Sequence, residues 1–417
     1  MNECFDRGSR RLLLAVVAFM GLLALSGCGA EAKPDSATPE VTGDERADVS
    51  TQTSDRTATP PVEAAQSPSA RTITIAATGD VLPHFAVLES AAINAGRTAE
   101  YNFGPMFDQI EPLMSSADLA LCHLETPLSA DNTGLTQPGV LSFATPREMA
   151  TALADAGYDG CDFASNHTLD RGLEGLAETE GVLREAGLGY AGPTEDENRA
   201  PQTYDIAGMQ VAHLAYTYTL PNSGEPNTSV PADAPRLGDS LWPKIGATGI
   251  IDDAQEARSD GADIVVVSMH WGDEYDTTPT TDQTDIARKV LNSDEVDLIL
   301  GTHVHVTQPC AKINDRYVLY GLGNSLSNQS PDTDSRLRPE TQEGVAATVE
   351  LTVTQDGRVT SELAVQPTRV NLAGHVIEPV GPDSFAASAD RTIETLRSLG
   401  QCQLTLQEES LLTSQDE

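Results

Sequence analysis

Basic residues are scarce in this sequence. Lysine occurs four times in 417 residues, and Lys+Arg total 25 against 63 Asp+Glu, a formal net charge of -38 at pH 7. Binding to nucleic acid depends on lysine and arginine neutralising phosphates, so this balance excludes nucleic acid as a partner. Adhesion to anionic membrane surfaces is disfavoured for the same reason. Cysteines at metal-ligand spacing are also missing, which argues against a thiolate-bound structural zinc. The one long apolar run, residues 12–25, is too short for a comfortable membrane span. What remains is not a disordered composition: 39% of residues are hydrophobic, and long strand-like apolar runs can build a core.

The ends of the chain have their own character. Arg7, Arg10 and Arg11 precede the apolar run, which ends in Leu25-Ser26-Gly27-Cys28. This pattern resembles the bacterial lipoprotein signal, in which the cysteine is lipidated and becomes the new N-terminus. Residues 1–27 therefore read as a cleavable signal and Cys28 as the lipidation site, with an uncleaved anchor helix as the alternative. Either way, the rest of the chain lies outside the cytoplasm, anchored to the cell membrane by its N-terminus. Residues 28–70, rich in Ser, Thr, Pro, Ala, Asp and Glu, cannot bury enough surface to offset their ordering entropy and read as a disordered tether. Residues 401–417 read as a polar C-terminal tail, leaving 71–400 as one large α/β domain. Beyond Cys28, four cysteines remain: Cys122, Cys161, Cys310 and Cys402. An oxidising compartment permits two disulfides among them. Cys122 and Cys161 occupy matching places near the ends of two predicted strands, which suggests the pairs Cys122–Cys161 and Cys310–Cys402. Buried free thiols remain the alternative for the first pair.

Within the folded part, strands are predicted over 73–77, 118–124, 160–164, 210–218, 263–269, 296–300, 317–320 and 345–353. Helical spacing covers 147–156, 173–186, 252–259 and 284–291. Apolar runs alternating with amphipathic helices predict a layered α/β fold, with the uninterrupted runs buried on both faces.

The polar residues then fall in a pattern. Of eight histidines, six (His84, His123, His167, His270, His303 and His305) lie at or just past the C-terminal end of a predicted strand. That edge is where open α/β sheets bind ligands. In Gly301-Thr302-His303-Val304-His305, two imidazoles one residue apart can approach adjacent points of one polar site, and His270-Trp271-Gly272 stands at another strand end. Imidazole with carboxylate suits Zn, Mn or Fe. Asn166 offers a carbonyl ligand, and the adjacent His167 can serve as an acid, its tautomer fixed by Asp170. Helix capping by Ser165 or Asn166, with Asp170 favoured by the helix dipole, is the structural account of that segment, and the two accounts are compatible. His123 precedes Glu125 by two and shares its face of the strand, which makes it a candidate to support the site from behind its ligands, although a core or surface histidine is the plainer reading.

Six segments in order resemble the successive motifs of the CapA family of poly-γ-glutamate capsule biosynthesis. They are Thr78-Gly79-Asp80, His123-Leu124-Glu125-Thr126-Pro127-Leu128, Ala164-Ser165-Asn166-His167-Thr168-Leu169-Asp170-Arg171-Gly172, His270-Trp271-Gly272-Asp273-Glu274-Tyr275, Gly301-Thr302-His303-Val304-His305 and Tyr320-Gly321-Leu322-Gly323-Asn324. The resemblance covers residues 72–328 and implies a calcineurin-like metallophosphoesterase fold, a four-layer α/β/β/α sandwich with two divalent metal ions (Mn, Zn or Fe) at the strand ends. Carried over position by position, Asp80 and His305 would hold the first ion, Glu125 would bridge, and Asn166, His270 and His303 would complete the second. His167 would be the catalytic histidine, with Asp170 behind it. Two positions depart from related phosphoesterases: Leu82 stands where a histidine two residues after Asp80 is usual, with His84 as a further candidate, and the bridging residue is Glu rather than Asp. The resemblance implies a metal-dependent hydrolase or transferase acting on a phosphoester or γ-glutamyl amide bond, with an envelope polymer or its synthesis machinery as partner. The alternatives are a non-catalytic scaffold or binding protein of that machinery that keeps the fold, and a lipid-anchored solute-binding protein.

Overall fold

A computed structural model describes residues 70–196, 201–222 and 227–407. The expected signal, Cys28 and all but the last residue of the expected tether lie outside the described residues. The first half runs β1 (Arg71–Val81), α1 (Phe85–Ala95), α2 (Glu111–Ser115), β2 (Leu119–Leu124), β3 (Leu128–Ser129), β4 (Thr145–Pro146), α3 (Glu148–Asp155), β5 (Gly160–Asp162), α4 (Gly172–Glu185) and β6 (Gly189–Ala191). Next come β7 (Gln202–Ile206), β8 (Met209–Thr217), α5 (Trp242–Ser259), β9 (Ile264–His270), α6 (Thr281–Leu291), β10 (Leu298–Thr302), β11 (Cys310–Ile313) and β12 (Arg316–Leu319). The chain then returns to the first sheet through β13 (Asn324–Leu326), β14 (Glu343–Val353), β15 (Val359–Asn371), β16 (Val376–Pro379), α7 (Ala386–Arg397) and β17 (Leu404–Leu406).

Among the described residues these strands build two large sheets. One has the order β16-β15-β14-β1-β2-β5-β6, with β13 added to β1 and β17 to β15; the other has the order β11-β12-β10-β9-β8-β7. The side-chain period of two divides each central strand between two cores. In β1, Ile73, Ile75 and Ala77 meet Val211, Val266 and Leu298 of the second sheet, whereas Ala76 faces the helix side with Val87, Leu113 and Leu153. In β9, Ile264 and Val266 face the first sheet while Val265, Val267 and Met269 pack on Ile250, Ala254 and Val290 of α5 and α6. Three apolar interlayers therefore separate four layers, α/β/β/α, as expected.

The folded part reaches further than residue 400, contrary to the expected boundary. Leu404–Leu406 pairs with Leu363–Val365 of β15, and Cys402 forms a disulfide with Cys310. Polar composition concealed this strand because it is short and lies at a sheet margin. Cys122 and Cys161 are direct register partners on parallel strands and form the second disulfide, with a Cα–Cα distance of 4.5 Å. Among the described residues, no helix is long and apolar enough to cross a membrane.

Candidate metal centre

Parallel strands bring their C-terminal ends to one edge. In the first sheet the register aligns Asp80 with His123 and His123 with Asp162; in the second it aligns His270 with Thr302. Both edges open on the same polar cluster. Asp80 is fully buried, and its backbone N–H donates to Gly323 O at 2.9 Å. A side chain at Gly79 would collide with the Gly323 carbonyl, so glycine is what lets these two loops touch. The loop after β10 takes an uncommon path: His303 and His305 have φ of 90° and 57°, conformations that cost energy in non-glycine residues and recur at functional sites. Asp80 anchors that loop. Its Oδ1 accepts from the His303 backbone N–H (3.1 Å), and its Oδ2 lies 2.9 Å from His305 Nδ1.

Glu125 is the centre of the cluster. It is 0% exposed, and neither carboxylate oxygen has a hydrogen-bond partner among the described residues. The nearest imidazole nitrogens, His270 Nε2 and His305 Nε2, stand 3.8 and 3.7 Å from Oε1, too far for hydrogen bonds. Ligand atoms of Glu125, His270 and His303 lie within 4.8 Å of one another, and so do those of Asp80, His123 and Glu125. Glu125 belongs to both groups.

Burial pushes the Glu125 carboxyl up to about 7, opposed by His305 and reinforced by Asp80. Burial, and then the surrounding imidazoles, hold His270 and His303 well below the usual histidine range. Both are therefore neutral near pH 7, with a lone pair to offer. For His305, burial acts downward, but Glu125 and Asp80 outweigh it and raise the ring to about 10. His123 follows the same logic: burial lowers it, Asp162 overrides, and the result is about 9.

An unpaired buried carboxylate is strongly disfavoured unless a cation compensates it. Glu125, the orphaned Nδ1 of His303 and the neutral rings around them fit divalent cations, and mixed imidazole and carboxylate donors suit Zn, Mn or Fe.

Other expected residues take distinct places. Asn166 Oδ1 sits 3.0 Å from His270 Nε2, joining the His303 side of the cluster. His167 Nδ1 donates to Asp170 Oδ2 at 2.7 Å, and that oxygen also accepts from the Phe143 backbone at 2.6 Å. This fixes the tautomer with Nε2 as the remaining functional nitrogen. The capping account of the segment does not hold, because α4 begins at Gly172, beyond Ser165 and Asn166. His84 lies outside both groups among the described residues. Its Nδ1 stands 3.0 Å from Leu82 O, and its ring packs edge-on against Phe143.

Several neighbours were not legible beforehand. Asp162 hydrogen-bonds His123 Nδ1 at 2.7 Å, and Tyr218 lies tilted against His303 and stacked on His270, with centroids 4.6 and 6.1 Å apart. A charged residue inside the short apolar strand β5 was the available signal for Asp162; Tyr218 gave none. Trp271 is core, packed on Tyr320, while Tyr275 stands 5.9 Å from His305.

The family described as "Bacterial capsule synthesis protein PGA_cap" matches residues 74–329, a span holding all of these site residues. PGA biosynthesis protein CapA of Bacillus subtilis (strain 168) is 26% identical over 227 residues, 54% of this chain and 57% of that protein. Capsule biosynthesis protein CapA of Bacillus anthracis is 26% identical over 233 residues, 55% of each. The chain thus spans little more than half the length of these curated relatives. Two solved structures are similar at a TM-score of 0.42 each. One is a 5'-nucleotidase precursor from Thermus thermophilus (16% identity, 79% of this chain and 59% of that one). The other is the calcineurin-like phosphoesterase YfkN from Bacillus subtilis (14% identity, 79% and 99%).

Proposed function

Because this chain belongs to the bacterial capsule synthesis family PGA_cap, we propose that it is an extracytoplasmic, lipid-anchored protein of capsule or poly-γ-glutamate assembly. In this reading its buried centre holds two divalent cations and cleaves or transfers a γ-glutamyl amide or a phosphoester. The observation that carries the reading is Glu125: a fully buried carboxylate, both oxygens unpaired, shared by two groups of ligand atoms. Asp80, Glu125 and His305 would hold one ion, and Glu125, Asn166, His270 and His303 the other. Divalent ions bound there supply Lewis-acid charge and bring the ionisation of water towards neutral pH.

The protein's own groups do the rest. Asp80 clamps the His303–His305 loop through its backbone and ring. Asp170 accepts from His167 Nδ1–H and orients the ring, so that Nε2, once it has taken up a proton, can deliver it to a leaving group. Tyr218 packs against the His270 and His303 rings. Two disulfides suit an oxidising compartment, which agrees with the export signal read at residues 1–28.

The test is turnover of γ-linked polyglutamate, γ-glutamyl peptides and phosphodiesters by the full chain solubilised in detergent and loaded with Mn or Zn. Product release, abolished in His167→Ala at unchanged metal content, is expected. Full metal occupancy with no turnover of any of these substrates would refute catalysis and leave a binding or scaffold role in the same machinery.

A further inference from the structure

The first-sheet side of the centre has an imidazole donor that neither the sequence motifs nor the family resemblance assigns. We infer that His123 is a direct cation ligand beside Asp80 and Glu125, and that Asp162 is the residue that positions it. This rests on the two-ion reading above and deepens it.

Three adjacent parallel strands set the geometry. Register pairs Asp80 of β1 with His123 of β2, and His123 with Asp162 of β5, so the three side chains form one row along the sheet edge. The His123 and Asp162 side chains are 1% and 4% exposed, with Nδ1 and Oδ1 2.7 Å apart. A carboxylate accepts and cannot donate, so Nδ1 carries the proton and Nε2 is left to act as ligand. A carboxylate behind a histidine is the recurrent outer support of metal-bound imidazole, fixing its tautomer and raising its basicity. His123 also places a ligand atom within 4.8 Å of those of Asp80 and Glu125.

The other candidates on this side are committed elsewhere. Leu82, two residues after Asp80, is apolar, and His84 turns its Nδ1 to the Leu82 carbonyl. His123 therefore supplies from β2 the imidazole that β1 lacks.

One contact defines the competing arrangement. His123 Nε2 stands 3.0 Å from His270 Nδ1, so His123 could instead be a relay that orients His270. Against this, Thr302 Oγ1 also stands 3.3 Å from His270 Nδ1 and can hold that ring when His123 takes a cation.

The experiment is a cation titration of the full chain in detergent after chelator treatment. Zn2+ or Co2+ is added, with binding followed by calorimetry, elemental analysis and the Co2+ absorption spectrum. Wild type should bind two equivalents. His123→Ala should bind one, or bind the second at least 100-fold more weakly, while His84→Ala keeps both. Asp162→Asn should keep two equivalents but weaken one by about 10–100-fold. His123→Asn, which retains a hydrogen bond to Asp162, repeats the loss should the alanine variant fail to fold by circular dichroism. Two equivalents at near wild-type affinity in a folded His123 variant would overturn the proposal, as would weakening confined to the His270 site. A wild-type protein that binds no cation would instead sink the two-ion reading itself.

Discussion

Replacing Glu125 by glutamine should change stability in opposite directions with and without metal. In cation-free protein the carboxylate is fully buried with both oxygens unpaired. An uncompensated buried charge of this kind costs on the order of 3–5 kcal/mol. The carboxyl's own displacement leads to a similar figure. Burial takes it from 4.5 to about 7, and about 1.4 kcal/mol per pH unit gives roughly 3 kcal/mol. For an acid raised in the folded state, the folded chain binds more protons than the unfolded chain between pH 4.5 and about 7. Stability therefore falls as pH rises through that window, and the full cost is present above it. Glutamine cannot ionise, so above pH 7 the chelated variant escapes this cost; burying an amide among groups that leave it unpaired takes back part of the gain. The net expectation is a variant about 1–2 kcal/mol more stable than wild type in chelator at pH 8. With Mn2+ or Zn2+ at 100 times its dissociation constant, wild type gains about 2.7 kcal/mol per site by mass action, and the variant loses most of that increment. Calorimetric or fluorescence melting at pH 5 and pH 8, each with chelator and with metal, reads all four states. Equal metal stabilisation in both proteins, or a chelated variant several kcal/mol less stable than wild type, would refute the cation-centred account of Glu125.

Asp170→Asn should lower kcat by about 10²–10³-fold at unchanged metal content, because the asparagine leaves the His167 tautomer unfixed; the pH–rate profile should shift with it. Burial holds His375 down to about 4, while its neutral ring is satisfied by Ser90 Oγ and Asn328 Oδ1 at 2.8 and 2.9 Å. The unfolded state binds the extra proton between pH 4 and 6.5, so stability drains as pH falls through that window, by about 2–3 kcal/mol in total. His375→Gln should flatten the decline in pH-dependent denaturation curves. Cys402→Ser opens a loop of 92 residues and should cost about 2–4 kcal/mol, the same loss that a reductant inflicts on wild type. If the substrate is an anionic polymer, a protein of net charge -38 repels it; KM should then fall as salt rises from about 0.02 to 0.2 M, whereas a rise in KM would point to a cationic substrate.

How much of this could be read from the chain depended on whether the signal was local. Strands β1, β2, β9 and β10 stood out because both of their faces are buried, which writes an uninterrupted apolar run. Their ends located Asp80, Glu125, His270 and His303 without any structure. Strand β15 did not stand out: Glu362, Gln366, Pro367 and Arg369 interrupt its pattern, and its burial depends on contacts with β14 before it and α7 after it. Helix α1 begins just after His84, which makes no side-chain cap, so its start carries no signature. The pairing of His123 with Asp162 spans 39 residues and exists only because β2 and β5 lie side by side. Read alone, His123 is one more histidine in an apolar strand.

The lack of lysine and the wealth of histidine at the strand ends are parts of one solution. Asp80, Glu125 and Asp162 are buried together, and something must balance them. Three of the four lysines, Lys244, Lys289 and Lys312, lie on α5, α6 and β11, away from the cluster, and Lys33 falls outside the described residues. A lysine among those carboxylates would keep its proton and occupy the space as a fixed ammonium. Imidazole can neutralise a carboxylate as a cation when the centre is empty and surrender the proton to become a neutral ligand when an ion arrives. His123 and His305, the two rings held protonated by adjacent carboxylates, are poised for that exchange. His270 and His303, already neutral, need no exchange. At pH 8, where Glu125 is already largely ionised, proton release on cation binding should therefore come from the Asp80 side of the centre, which is where the His123 and Asp162 substitutions act.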